Sequence, residues 1–431
     1  MKKELFYYDP MLYLSTPEIP FVMGITATLT EPIEGTRLEE AVERLRQRFP
    51  YFYVRAELEG NDLYVVPNSL PVTVRNTWKP IDLHSREANY HVMAVKYEGK
   101  RLAVEISHAM TDGTGFLPYF KSLLYCYLSM KTGLQFDPDG FRLPGDMIPK
   151  TETEDPFPGL DLDHAEPPIY QKKPTQDFIR FGDILPADAH DRRIFYLKLP
   201  EDKVMRYCKS NDGSPNVLIA SLFSKAARNV DPTSEKSFVS IIAIDNKARL
   251  GNYDSYRQFA FTGFVDFPKK LNHEPLDKIL TMARGQLILQ TQPENALQTV
   301  KNSRDGFEQM KSLPLAQKAA IGRQVLGSHM ATTSISYVKS RSFGPLDAYI
   351  EEYYVLGEPS TVEVLCEVTC INHCFFLAFS QVFQSEAFLN AFIGELGAIG
   401  IPCEIMRKEE YKLCGIRYDN IAPDIQGFRT E

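Results

Sequence analysis

The 431-residue chain lacks any long apolar run. Its longest, such as Cys374 to Phe379, fall far short of the ~20 residues that a membrane-spanning helix needs. Its start, Met1-Lys2-Lys3-Glu4-Leu5-Phe6, has two lysines but no apolar stretch behind them, unlike a secretory signal. Cysteine is sparse: seven residues, an odd number at irregular spacing, build no disulfide scaffold and fit reduced thiols in a cytoplasm. Positive charge is short as well. Forty-eight Lys and Arg against 56 Asp and Glu leave a net charge of -8, which argues against a nucleic-acid binder. A local basic pocket for an anionic co-substrate is compatible with that balance, because net charge does not describe a cleft. There is no Gly-x-Ser-x-Gly elbow for a nucleophilic serine. Gly113-Thr114-Gly115 lacks the Lys-Ser/Thr that a phosphate loop requires. No internal repeat or low-complexity tract is present.

What is abundant is material for a core. Twenty-seven Phe and 22 Tyr, with 44% hydrophobic and 24% charged residues, describe a globular chain and exclude disorder as its main state. Val22 to Leu29 reads as a strand. Thr36-Arg37-Leu38-Glu39 has the form of a capping box, and Leu38, Val42, Leu45 and Phe49 follow at helical spacing, so the pattern predicts a helix over Thr36 to Phe49 closed by Pro50. Tyr51 to Leu58 and Asp62 to Val66 read as one hairpin, and His91 to Tyr97 with Arg101 to Ser107 as another. The period then changes: Phe116, Phe120, Leu123, Leu124 and Tyr127 mark one helix face.

From Phe136 to Asp191 prolines recur and periodicity fades, as in a crossover or linker. The second half restarts as mixed α and β. Strands are expected at Arg193 to Leu199, Phe238 to Ile244, Thr332 to Val338 and, broken near Asn372, Val362 to Phe383. Helices are expected at Asn216 to Asn229, Leu276 to Gln292, Ser312 to Leu326 and Ser385 to Leu396. The expected fold class is therefore α/β, with two lobes of mixed sheet flanked by helices. The lobes would be residues 1–135 and 192–431, joined by a Pro-rich crossover at 136–191.

The segment that carries chemistry is Glu105-Ile106-Ser107-His108-Ala109-Met110-Thr111-Asp112-Gly113-Thr114-Gly115. Leu102, Val104 and Ile106 share one strand face, and His108 continues it at the strand's end. An imidazole there is mostly neutral at pH 7 and can take a proton from a hydroxyl or amine that attacks a thioester carbonyl. Asp112 stands at the entrance of the following helix, where it caps free N–H groups or pairs with a cation. The neighbouring glycines suit a turn that other residues would find strained.

His108-Ala-Met-Thr-Asp112-Gly113 resembles the HxxxDG signature of the chloramphenicol-acetyltransferase-like acyltransferases. That superfamily includes condensation domains, plant BAHD-type enzymes, polyketide-associated acyltransferases and alcohol O-acetyltransferases. The resemblance covers most of the chain and is nearest to the alcohol acetyltransferase-like members. Arg46 to Leu58, with Arg48-Phe49-Pro50 and Arg55, is similar to the segment after the family's first helix. Ile244 to Leu250, followed by Gly263 to Phe267, is similar to the arginine loop and Gly-Φ-Φ strand of the second lobe. Ser334 to Gly344 is similar to the Ser-Asn-Φ-Gly region, with Tyr337 in place of the usual Asn. Ser107 stands where many relatives have a second histidine, and no Asp-Phe-Gly-Trp-Gly motif is present, which sets the plant branch aside.

The resemblance implies a two-lobed pseudo-dimer with a tunnel at the lobe interface. His108 would act as base on an acceptor hydroxyl (less readily an amine) that attacks an acyl-CoA. Asp112 would point away from substrate and pair with Arg55 or Arg249, Gly113 would complete the corner, and Ser336 would steady the oxyanion. Acyl-CoA would be a co-substrate with no permanently bound cofactor. A carrier-protein thioester, as in condensation domains, and a non-catalytic binding protein retaining the fold are the alternatives.

Cys366, Cys370 and Cys374, with His373, invite a zinc reading. Their run is apolar and β-prone, the three thiols would lie along different parts of two strands, and no close Cys pair is doubled, so they read as core and no metal is expected.

Overall fold

The computed structural model describes residues 4–5, 14–15 and 20–416, except 156, 158, 169, 171–174, 186–191, 328–329, 358, 360–361 and 411–414. In chain order the strands are β1 (Glu4–Leu5), β2 (Val22–Leu29), β3 (Val54–Glu59), β4 (Asp62–Pro67), β5 (Val74–Asn76), β6 (Met93–Glu98), β7 (Arg101–Ser107), β8 (Arg193–Pro200), β9 (Phe238–Asp245), β10 (Ala260–Phe267), β11 (Thr333–Tyr337), β12 (Ile350–Gly357), β13 (Val364–Ile371), β14 (Cys374–Gln381) and β15 (Glu404–Glu410). They form a five-stranded sheet in the order β12-β2-β7-β6-β5, a seven-stranded sheet in the order β10-β9-β11-β13-β14-β8-β15, and a small sheet β1-β4-β3. Most neighbours are antiparallel; β11 runs parallel to both β9 and β13.

Each large sheet buries one face under helices. On the first, Ile25, Val95, Val104 and Ile106 meet Phe116, Phe120, Leu123 and Tyr127 of the helix Gly113–Thr132. That helix matches the sequence expectation: its apolar positions recur every three or four residues, Asp112 caps its start, and Gly133 ends it at a φ of 71°. On the second sheet, Phe223 of the helix Pro215–Val230 packs on Phe379 and on Phe388 and Phe392 of the helix Ala387–Ala398. Cys366 and Cys370 belong to this same core, where burial pushes the Cys370 thiol up to about 12. Among the described residues no group of three or more His, Cys, Asp or Glu side chains is placed to hold a metal ion, and no helix is long and apolar enough to cross a membrane.

Three expectations change. The first helix spans Gly35–Arg44, with Glu34 at its N-cap and no side-chain cap, so Thr36 and Glu39 do not form a capping box. Its start is set by tertiary contact instead. The Tyr97 hydroxyl occupies the space a Cβ on Gly35 would need, and the Glu34 N–H donates to the Tyr127 hydroxyl at 2.9 Å. Beyond Arg44 the chain continues in turns to a short 3-10 helix at Pro50–Phe52. Second, β12 belongs to the C-terminal half in sequence but completes the first sheet, pairing with β2. The second half thus lends a strand to the first sheet, and the cleft is walled by both halves.

Third, the Pro-rich crossover is anchored in the interior by Glu152. This carboxylate is fully buried and takes a bidentate pair of bonds from Arg48 at 2.7 Å each, an ion pair from Arg142 at 3.0 Å and a hydrogen bond from the Tyr51 hydroxyl. A buried charge is tolerable only when its oxygens are satisfied in this way. Glu152→Ala leaves Arg48, itself 3% exposed, without its counter-ion. The expected loss is about 3–5 kcal/mol of stability, read from the midpoint of urea denaturation.

Candidate active site

β7 ends at Ser107, opposite Val22 of β2. The chain then turns through His108 to Thr111 before the helix Gly113–Thr132 begins. The His108 N–H donates to the Phe21 carbonyl at 2.7 Å and the Met110 N–H to the Ser107 carbonyl at 3.0 Å, so the corner is held from both sides. The half-buried imidazole places Nδ1 3.0 Å from the Thr111 carbonyl oxygen. A carbonyl only accepts, so the neutral ring carries its hydrogen on Nδ1 and leaves Nε2 as the basic atom.

Asp112 is buried and accepts three hydrogen bonds. Its Oδ1 takes the Gly115 N–H at 2.7 Å and Lys247 Nζ at 2.8 Å; its Oδ2 takes the Phe259 N–H at 2.8 Å. Two of the three donors come from the second half of the chain. The cation is thus Lys247, not either arginine. Arg55 pairs with Glu57 at 2.7 Å on the small sheet, and Arg249 donates to the Thr291 and Asp245 carbonyls. Each Asp112 oxygen accepts one backbone N–H, and the Lys247 ammonium on Oδ1 supplies the opposite charge. Lys247 stands two residues from Arg249 in the stretch the sequence resemblance singled out; a search for an arginine passed over it.

The glycines serve packing, not strain. Neither Gly113 nor Gly115 has a positive φ. A Cβ on Gly113 would lie 2.5 Å from Val338 Cγ2. On Gly115 it would strike the Tyr256 carbonyl oxygen and sit 2.6 Å from Thr111 Oγ1. Thr111 Oγ1 itself donates to that carbonyl at 2.6 Å. Gly115, outside the six-residue motif, is therefore the tighter of the two.

His108 lines a cavity of about 850 Å³ between the lobes. Met23 of β2, Val355 and Gly357 of β12, Ile241 and Asp245 of β9, Thr262 of β10, Ser334 and Ser336 of β11 and Glu367 of β13 share its walls, with Arg249 and Lys339 among the charged groups. Ser336 stands in this cavity as expected, but its hydroxyl hydrogen goes to Glu367 Oε2, so this donor is engaged rather than aimed at an oxyanion. Tyr337 lines the cavity and packs its ring on Phe375 at 5.7 Å. Glu367 escaped the sequence reading altogether, because in a β-prone run one polar residue carries no sign of which face it occupies.

With this geometry in place, the likeness to known proteins is informative. No protein-family model matches the sequence, and no curated protein matches it significantly. Among solved structures, F. sporotrichioides TRI101 in complex with coenzyme A and T-2 superposes with a TM-score of 0.60 at 13% identity, over 94% of this chain and 100% of that one. Polyketide synthase associated protein 5 from Mycobacterium tuberculosis gives 0.58 at 14% identity over 92% and 97%. The condensation domain from the Monacolin K polyketide synthase MokA gives 0.56 at 13% over 92% and 97%. The chain thus has the two-lobed chloramphenicol-acetyltransferase-like, condensation-domain-like fold.

Two predictions follow from the corner. Asp112→Asn and Lys247→Met should each lower the melting temperature, and the double variant should lose less than the two together, with a coupling of ~1–3 kcal/mol in a double-mutant cycle. Gly115→Ala should destabilise by ~1–3 kcal/mol through overpacking against a backbone carbonyl, and Gly113→Ala by less, because a valine methyl can shift; thermal melts of the two variants decide the order.

Proposed function

We propose that the protein transfers an acyl group from a thioester, acyl-CoA, to an acceptor hydroxyl, with His108 as general base. The observation that carries this reading is the His108 imidazole, fixed through Nδ1 on the Thr111 carbonyl and facing a cavity of about 850 Å³ that both lobes wall. The acceptor O–H gives its proton to Nε2 as its oxygen attacks the thioester carbon. The tetrahedral oxyanion then collapses, the C–S bond breaks, and the proton on Nε2 passes to the departing thiolate, so the base ends as it began. Asp112 does not touch the reacting atoms; it holds the corner from which the ring projects.

Coenzyme A is the preferred donor because TRI101 structures of this fold hold it. A cavity that reaches His108 speaks against a purely scaffolding role. The test is acyl transfer by wild type and His108→Ala across a panel of acyl-CoAs and alcohols. The variant should keep its melting temperature and lose about 100- to 10,000-fold in kcat. Undiminished turnover in the variant removes His108 from the chemistry. Turnover only with a phosphopantetheinylated carrier protein assigns the donor to the condensation type.

A further inference from the structure

Several interior carboxylates among the described residues carry a cation as partner. Glu105 has Lys96 at 2.6 Å, Asp112 has Lys247 at 2.8 Å, Glu152 has Arg48 at 2.7 Å, and Glu352 has Arg407 at 2.6 Å. Glu367 lies beside His108 in the cavity, and among the described residues no lysine or arginine comes within 4.0 Å of it. Its protein hydrogen bond is the neutral one from Ser336. Its surroundings are made small and apolar: Ala378 is its cross-strand neighbour, and a Cβ on Gly357 would sit 3.0 Å from its Oε1. Burial raises the carboxyl above the ordinary glutamate range, against the lowering effect of the Ser336 hydrogen bond.

We infer that Glu367 recognises the acceptor: the site takes an amino alcohol, whose ammonium the Glu367 carboxylate holds while its hydroxyl reaches His108. This rests on the transferase reading above. A neutral donor compensates a desolvated carboxylate poorly, whereas an ammonium supplies both charge and hydrogen bonds. The cation comes from the acceptor and not from coenzyme A, whose reactive arm ends in amides and a thioester and whose far end is anionic. Glu367 and His108 line the same cavity, so one acceptor molecule can meet both.

The experiment measures binding first, so that it does not depend on turnover. Leucinol and phenylalaninol are titrated into the full-length protein, each against the analogue in which a methyl replaces the ammonium, using wild type, Glu367→Gln and Glu367→Asp, with thermal melts confirming that each variant is folded. Wild type should bind the ammonium member at least about tenfold more tightly, Glu367→Gln should bring the ratio to within about twofold, and Glu367→Asp should retain a preference. A wild-type ratio near one, a ratio unchanged in Glu367→Gln, or no binding of either member at millimolar concentration overturns the inference. Acyl transfer is then assayed with the same pairs. Transfer to the uncharged alcohols at equal efficiency sinks the amino-alcohol assignment and leaves the transferase standing; Glu367-dependent binding without transfer from any thioester sinks the transferase and leaves the recognition site.

Discussion

The contact on which the rest depends is the Asp112 carboxylate with its three donors, two of them from beyond residue 240. It caps the helix that follows the His108 corner and, with the same two oxygens, ties that corner to Lys247 and Phe259. Asp112 and Lys247 are both nearly inaccessible to water. Parting the lobes at this point strands two opposite charges in the interior, a loss far larger than that of a surface pair. The joint therefore sets the spacing of the lobes just where the imidazole projects into the cavity. Thr111, bound to the Tyr256 carbonyl, and Gly115, pressed against it, repeat the constraint without charge.

The loan of β12 extends this to the whole interface. β12 carries the second half of the chain into the first sheet, and its residues Val355 and Gly357 face the cavity that Ser336 and Glu367 enter from the other side. Around it the interface is stitched by groups that meet their own partners: Arg407 on Glu352, Arg101 on Glu409, and the Tyr196 ring on Tyr354 at 4.8 Å. Against that background of settled charges, the Glu367 carboxylate differs in facing open space with a serine for company. Interior polarity left incomplete at a cavity wall is where a ligand gains most from binding.

Much of the architecture was legible because local pattern and burial agree. The helices Gly113–Thr132 and Ala387–Ala398 and the hairpin β3–β4 show their buried face as a repeat in the chain, and β6–β7 and β13–β14, buried on both faces, show as near-continuous apolar, β-prone runs. Segments that broke this agreement were missed or misread. The helix Pro293–Met310 buries only Ala296, Val300 and Phe307 among its described side chains, too few to announce a period. β15, Glu404–Glu410, is charged and largely exposed, an edge strand whose composition resembles a loop. The capping box at Thr36 was chemically sound but lost to the Tyr97 contact one residue earlier, which is invisible in sequence because the partner lies about sixty positions away.

The sequence by itself determined the α/β class, the strand-to-helix corner and the histidine that ends the strand, because each depends on residues within one or two turns of chain. Only the tertiary structure decided which cation answers Asp112, why the glycines are small, which half of the molecule owns β12, and that a glutamate 259 positions from His108 shares its cavity. Those are matters of which distant atoms come within a few ångströms, and both charge pairing and close packing fall off too steeply with distance for a linear pattern to report them.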